Sequence, residues 1–137
     1  GKYYDFPAVK CFPKPTQRPH PPVYLPSIMF DGHWSKRVFK RIVEWGDGWL
    51  PVVENIGQVV AGMNQIKELA TSAGREDKQV HVNVLGGEGQ WRSRREIEAF
   101  LDIGVEQVTI WLMTKTTDAM RRELDALASD IFDSVPG

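Results

Sequence analysis

From Val23 onward, apolar residues alternate between two periods, about two residues for a strand and about 3.6 for a helix. The alternation repeats four times along the chain. A first strand lies within Val23–Phe30, where Pro26 implies an edge, a bulge or a break. Ser35 can cap a helix whose Val38, Phe39, Ile42, Val43 and Trp45 share one stripe and which stops at Gly46. Trp49–Val53 makes a short second strand. The next helix runs from about Glu54 to Ala73, with Ile56, Val59, Val60, Met63, Ile66 and Leu69 inward and Gly74 as its stop.

Val80–Leu85 alternates as a third strand, with Val80, Val82 and Val84 on one face and His81, Asn83 and Leu85 on the other. A GGEGQ loop follows. Ser93 and Glu96 have the spacing of a capping box and start a third helix, with Ile97, Phe100 and Leu101 inward and Gly104 at its end. Val105–Met113 is the fourth strand, with Thr109, Trp111 and Met113 facing away from Val108, Ile110 and Leu112. A last helix from about Asp118 carries Met120, Leu124, Leu127, Ala128 and Ile131, and Pro136 and Gly137 close the chain. Residues 1–22 hold six prolines between Pro7 and Pro22 and read as a lead-in loop, leaving 23–137 as the folded unit.

Strands alternating with helices imply right-handed crossovers and a parallel α/β sheet. Four βα units allow half of a TIM-type (β/α)8 barrel or a small open parallel sheet. The faces with His81, Asn83, Thr109 and Trp111 are more polar than a sheet covered on both sides prefers. That favours the half-barrel, in which this face looks into the barrel interior.

Composition adds bounds. The 137 residues are 42% hydrophobic and 26% charged, ordinary for one globular domain, whereas a closed barrel takes roughly 250 residues. A net charge of −1 gives no electrostatic footprint for nucleic acid or an anionic membrane. Two basic clusters, Lys36–Arg41 and Arg92–Arg95, are interleaved with apolar residues and read as solvated helix faces. Cys11 is the one cysteine, which excludes an internal disulfide and fits a cytoplasmic protein. No apolar run is long enough for a membrane span, and no signal-peptide pattern occurs. A tag remnant, processing or truncation would each explain a start at Gly1.

Candidate chemistry is sparse. Asp47 in GDGW reads as structural, pairing with Arg37 or Arg41 or with nearby backbone. His81 lies near a strand beginning, the wrong end for a barrel active site. His20 reads as solvent-facing, and Trp49 and Trp111 as core aromatics. GGEG lacks the Lys-Ser/Thr sequel of a phosphate loop but borders a strand end. No nucleophile triad and no metal-ligand spacing occurs.

The ordered set QRPHPPVYL, VFKRIVEWGDGWLPV, VHVNVLG and GVEQVTIWL resembles the second half of luciferase-like oxidoreductases, across nearly the whole chain. The nearest flavour is the branch using coenzyme F420, with the flavin mononucleotide (FMN) monooxygenases as runner-up. The resemblance implies a (β/α)8 barrel, of which this chain would be the carboxy-terminal half, and hydride transfer with a small organic substrate. It also implies a cofactor phosphate held after the first strand, at Asp31, Gly32, His33, Trp34 and Ser35, although Asp31 stands where relatives carry glycine. Ring-binding and proton-handling residues would belong to the first half, so no catalytic residue is nominated. The rival reading is a non-catalytic half-barrel that pairs with a second copy of itself or with an N-terminal half. A third is a compact flavodoxin-like binding module, which predicts a monomer.

Overall fold

The computed structural model describes residues 2–10 and 12–132; Cys11 and the closing Pro136–Gly137 lie outside these. Residues 2–22 contain no helix or strand among those described. Four βα units then follow: β1 (Tyr24–Ile28), α1 (Lys36–Glu44), β2 (Gly48–Val52), α2 (Ile56–Ser72), β3 (His81–Leu85), α3 (Arg94–Asp102), β4 (Gln107–Thr109) and α4 (Thr117–Phe132). The strands are parallel in the order β1-β2-β3-β4, one open sheet with β1 and β4 at its edges. A doubly wound sheet reverses its strand order at one point; this one does not.

Register explains why one face is dry. Leu25 pairs with Trp49, Ser27 with Pro51, Trp49 with Val82 and Val84 with Val108, so these side chains form adjacent rows. Onto this face α1 packs Phe39, Ile42 and Val43, α2 packs Val59, Ile66 and Ala70, and α3 packs Phe100. Trp49 is the centre of the core. Its ring meets Trp34 and Phe39 edge-on, at centroid distances of 5.0 and 5.4 Å, and its Nε1–H donates to Ser27 Oγ at 2.6 Å. A separate aromatic pair, Trp91 on Phe100 at 4.8 Å, seals the α3 side.

The opposite face is bare. Leu50, Val52, Asn83 and Leu85 are half-buried and Ile28 is exposed; Trp111, expected as a core aromatic, lies past the end of β4 and is exposed. The burial therefore separates the two strand faces as their alternation predicts, with the more polar face uncovered. Other expectations need correction. Trp45 is exposed because α1 has ended and it stands at the C-cap; Leu101 lies on the solvent side of α3. The fourth strand pairs only over Gln107–Thr109, and α4 buries no residue, so Met120 and Leu124 remain exposed. Among the described residues no helix is long and apolar enough to cross a membrane.

Local capping fixes the helix ends. The Arg75 guanidinium, from the turn after α2, donates to the carbonyls of Val43 and Glu44 in the last turn of α1. These are orphan acceptors at the negative end of the helix dipole, so the cation satisfies both bonding and charge. Arg75→Ala is expected to lower stability by about 1–2 kcal/mol, read as a lower urea midpoint at unchanged slope. An unchanged midpoint would mean that water caps α1 equally well.

Ser93 and Glu96 make the capping box in full: Glu96 Oε2 accepts from Ser93 N (3.0 Å), Ser93 Oγ (2.7 Å) and Arg92 N (3.1 Å). The bond from Ser93 Oγ, then that from its backbone N–H, holds the Glu96 carboxyl below its ordinary pKa, outweighing partial burial. A depressed carboxylate contributes stability that is present above its unfolded pKa and lost as pH falls through the folded one. Glu96→Gln, which does not titrate, should therefore show a shallower loss of stability than the native chain as pH drops through and below the carboxylate range. Parallel acid-unfolding curves for the two would refute the assignment.

Candidate functional site

In a parallel sheet the helix N-termini gather at the carboxyl ends of the strands, and ligands bind there. The five residues nominated from sequence fall at this rim, between β1 and α1. Asp31 and Gly32 have φ of 48° and 74°, and Phe30 and His33 bond reciprocally through N–H and carbonyl at 2.9 Å. That is the geometry of a type I′ turn, for which Asp-Gly is a preferred pair because both positions need positive φ. Asp31 is thus explained by the turn itself.

The loop does not act as one surface. Asp31, Gly32, His33 and Ser35 are exposed, but Trp34 is 5% exposed and packs on Phe39 and Trp49. Trp34 anchors the loop to the core. Ser35 is the N-cap of α1, its Oγ 3.4 Å from Val38 N. The first turn of α1 has no acidic residue and opens with Lys36 and Arg37, so the helix end is electropositive. Beside it lies an open groove of 430 Å³ walled by Pro26, Ile28, Phe30, Val38 and Val52, with Ser35 at its edge; Ser27 borders it, but its Oγ is committed to Trp49 in the core.

A larger cavity of 530 Å³ lies elsewhere, between the later part of α2 and the approach to β3, lined by Met63, Ile66, Ala70, Val80 and Val82 with Lys67 and Lys78. It borders the start of β3, the end of the sheet where helix C-termini gather. The β1 rim is the better candidate despite its smaller volume, because the N-terminus of α1 and its exposed Ser35 cap stand there.

The other residues singled out from sequence lie apart from this rim. Asp47 Oδ2 accepts from Val23 N at 2.8 Å and sits 3.6 Å from His20 Nδ1, fastening the lead-in to the start of β2 rather than meeting Arg37 or Arg41. His81 Nδ1 lies 2.6 and 2.7 Å from the Glu106 carboxylate oxygens, at the opposite end of the sheet. The GGEGQ loop is held internally: Gly87 N donates to Gln90 Oε1 at 2.8 Å, and a Cβ on Gly86 would meet Trp91 Cδ1 at 2.6 Å. Trp91, with φ of 58°, carries backbone strain that its buried ring offsets.

Two features at the rim escaped sequence reasoning. Arg92, in a basic cluster that reads as a solvated helix face, instead pairs with Glu123 of α4 and donates to the Trp111 carbonyl at 3.2 Å, tying the loop after β3 to the loop after β4 and to α4. Burial pushes the Glu123 carboxyl up, yet the hydrogen bond and charge of Arg92 help to outweigh it, and the pKa is held low. On the bare face, Thr109 Oγ1 donates to Asn83 Oδ1 at 2.9 Å. Neither pairing has a local signal, since the partners stand far apart in the chain. Among the described residues no three His, Cys, Asp or Glu side chains are grouped to hold a metal.

No protein-family model matches this chain, and no curated protein or solved structure matches it significantly.

Proposed function

We propose that this chain is the carboxy-terminal half of a luciferase-like (β/α)8 oxidoreductase, transferring hydride between coenzyme F420, or alternatively FMN, and a small organic substrate in the cytoplasm. The observation that carries this is the sheet: four consecutive parallel strands in sequential order, helices on one face, and the other face bare. A barrel cut in two leaves such a unit, because its interior face and two strand edges lose their neighbours. The resemblance of QRPHPPVYL, VFKRIVEWGDGWLPV, VHVNVLG and GVEQVTIWL to that family adds the reaction class.

The rim residues fit an anion. The electropositive start of α1, the Ser35 hydroxyl and the open space around Gly32, where an added Cβ would touch nothing, suit a phosphate. Asp31 opposes it electrostatically, and Trp34 would act only by holding the loop. When bound, the cofactor supplies the hydride chemistry; this chain's part is to bind its charged tail and orient it over the strand ends.

The second reading is a non-catalytic half-barrel that works only through self-association or an N-terminal half. The Asp31 carboxylate at the rim favours it.

Titration with F420 beside FMN, followed by cofactor fluorescence, separates the two. The oxidoreductase reading expects saturable binding of one cofactor, weakened at least about tenfold by Lys36→Glu with Arg37→Glu, since each charge at a helix end counts at short range. Absence of binding by both cofactors would remove the Asp31–Ser35 assignment and leave the structural half.

A further inference from the structure

Two apolar surfaces of this chain are uncovered. One is the bare sheet face, where Ile28 is 64% exposed beside half-buried Leu50, Val52 and Leu85, with Trp111, 56% exposed, in the loop that leaves β4. The other is the lead-in arm, where Tyr3, Phe6, Val9 and Phe12 are all at least 69% exposed. Solvent-facing apolar residues are common singly, but contiguous ones mark interaction surfaces.

Their size can be judged. The chain exposes 10227 Å² for a mass of 15.6 kDa. A compact monomer of that mass exposes roughly 7,200 Å², so the excess is about 3,000 Å². An obligate homodimer takes about 1,000–2,500 Å² from each partner. The surplus is of the size that stable association needs.

Charge selects the occupant. No residue of the four strands is Asp, Glu, Lys or Arg, so two bare faces can meet without like-charge repulsion. The arm is basic: Lys2, Lys10, Lys14 and Arg18 against Asp5 make residues 1–22 net +3, which leaves residues 23–137 at −4 within the total of −1. A basic arm is attracted to the acidic body of another copy.

We propose that a second copy of this chain covers the bare sheet face, with each copy's basic aromatic arm lying across the other's acidic body. Isologous pairing of this kind closes on itself and gives a dimer. The proposal rests on the half-barrel geometry and not on the cofactor. A dimer that binds neither cofactor would sustain it while the oxidoreductase reading failed.

Analytical ultracentrifugation of the full chain across the micromolar range tests it. The expected species has twice the 15.6 kDa chain mass. Ile28→Glu with Trp111→Glu should raise the dimer dissociation constant at least about tenfold, because two desolvated carboxylates would face an apolar surface. Both sites are exposed in the monomer, so far-UV circular dichroism should stay unchanged. Added salt should weaken the native dimer but have less effect on a variant with Lys10, Lys14 and Arg18 replaced by alanine. A monomer at every concentration, an open-ended aggregate, a dimer indifferent to the two glutamates, or equal salt sensitivity of the two arms would each overturn the proposal.

Discussion

Trp49→Ala is expected to lower the unfolding free energy by about 3–5 kcal/mol, the largest loss from any single side chain here. Trp49 has no exposed surface and touches both Phe39 of α1 and the α2 backbone at Gly62. Truncation removes the ring that joins β2 to two helices and to Trp34, and it leaves buried Ser27 without its donor. Small domains hold only about 5–15 kcal/mol in total, so the variant should be close to unfolding at room temperature. Trp49→Phe separates the terms: it retains much of the bulk but loses the indole N–H, and should cost about 1–3 kcal/mol. Urea denaturation followed by far-UV circular dichroism measures both. Equal losses for the two variants would mean that the hydrogen bond, not packing, dominates.

Gly62→Ala should also destabilise, against the intuition from helix propensity. Gly62 lies inside α2, where alanine gains about 1 kcal/mol over glycine. But a Cβ at this position would come within 2.8 Å of Trp49 Cζ2 and 2.9 Å of Cζ3, and closer still to Cη2. The indole is held on its other sides by Trp34, Phe39 and Ser27 and has no free direction in which to move. Overpacking a tight core costs about 1–3 kcal/mol, occasionally more, so the clash exceeds the propensity gain. The measurement is the difference in urea midpoint from the native chain. A stabilised variant would show that the β2–α2 contact is looser than the geometry indicates. Gly57, near the start of the same helix and exposed, is the internal comparison: its added Cβ would meet only Asn55 Oδ1, at 3.2 Å.

Much of this was legible in the chain. The helix starts at Ser35 and Ser93, the stop at Gly74 and the alternation of Val82 and Val84 against His81, Asn83 and Leu85 are local signals, and the structure contains each of them. Gly62 carries a local signal too, since an isolated glycine inside a helical pattern often marks close packing. The candidate loop was less readable. Its position after β1 followed from the order of elements, but Trp34 and Ser35 are sequence neighbours with opposite fates, one in the core and one at the rim. Nothing in their types says which neighbour covers which.

By itself the sequence determined the four βα units, their parallel sense and which strand face would be apolar. Those follow from periodicity, caps and the handedness of crossovers, all properties of short stretches of chain. Only the tertiary structure decided that Trp49 is the centre of the core, that Asp47 fastens Val23, that Arg75 caps α1 and Arg92 holds α4, and that α4 buries nothing. Each of those depends on groups roughly 20 to 40 residues apart meeting in space, and burial is set by what arrives from elsewhere in the fold.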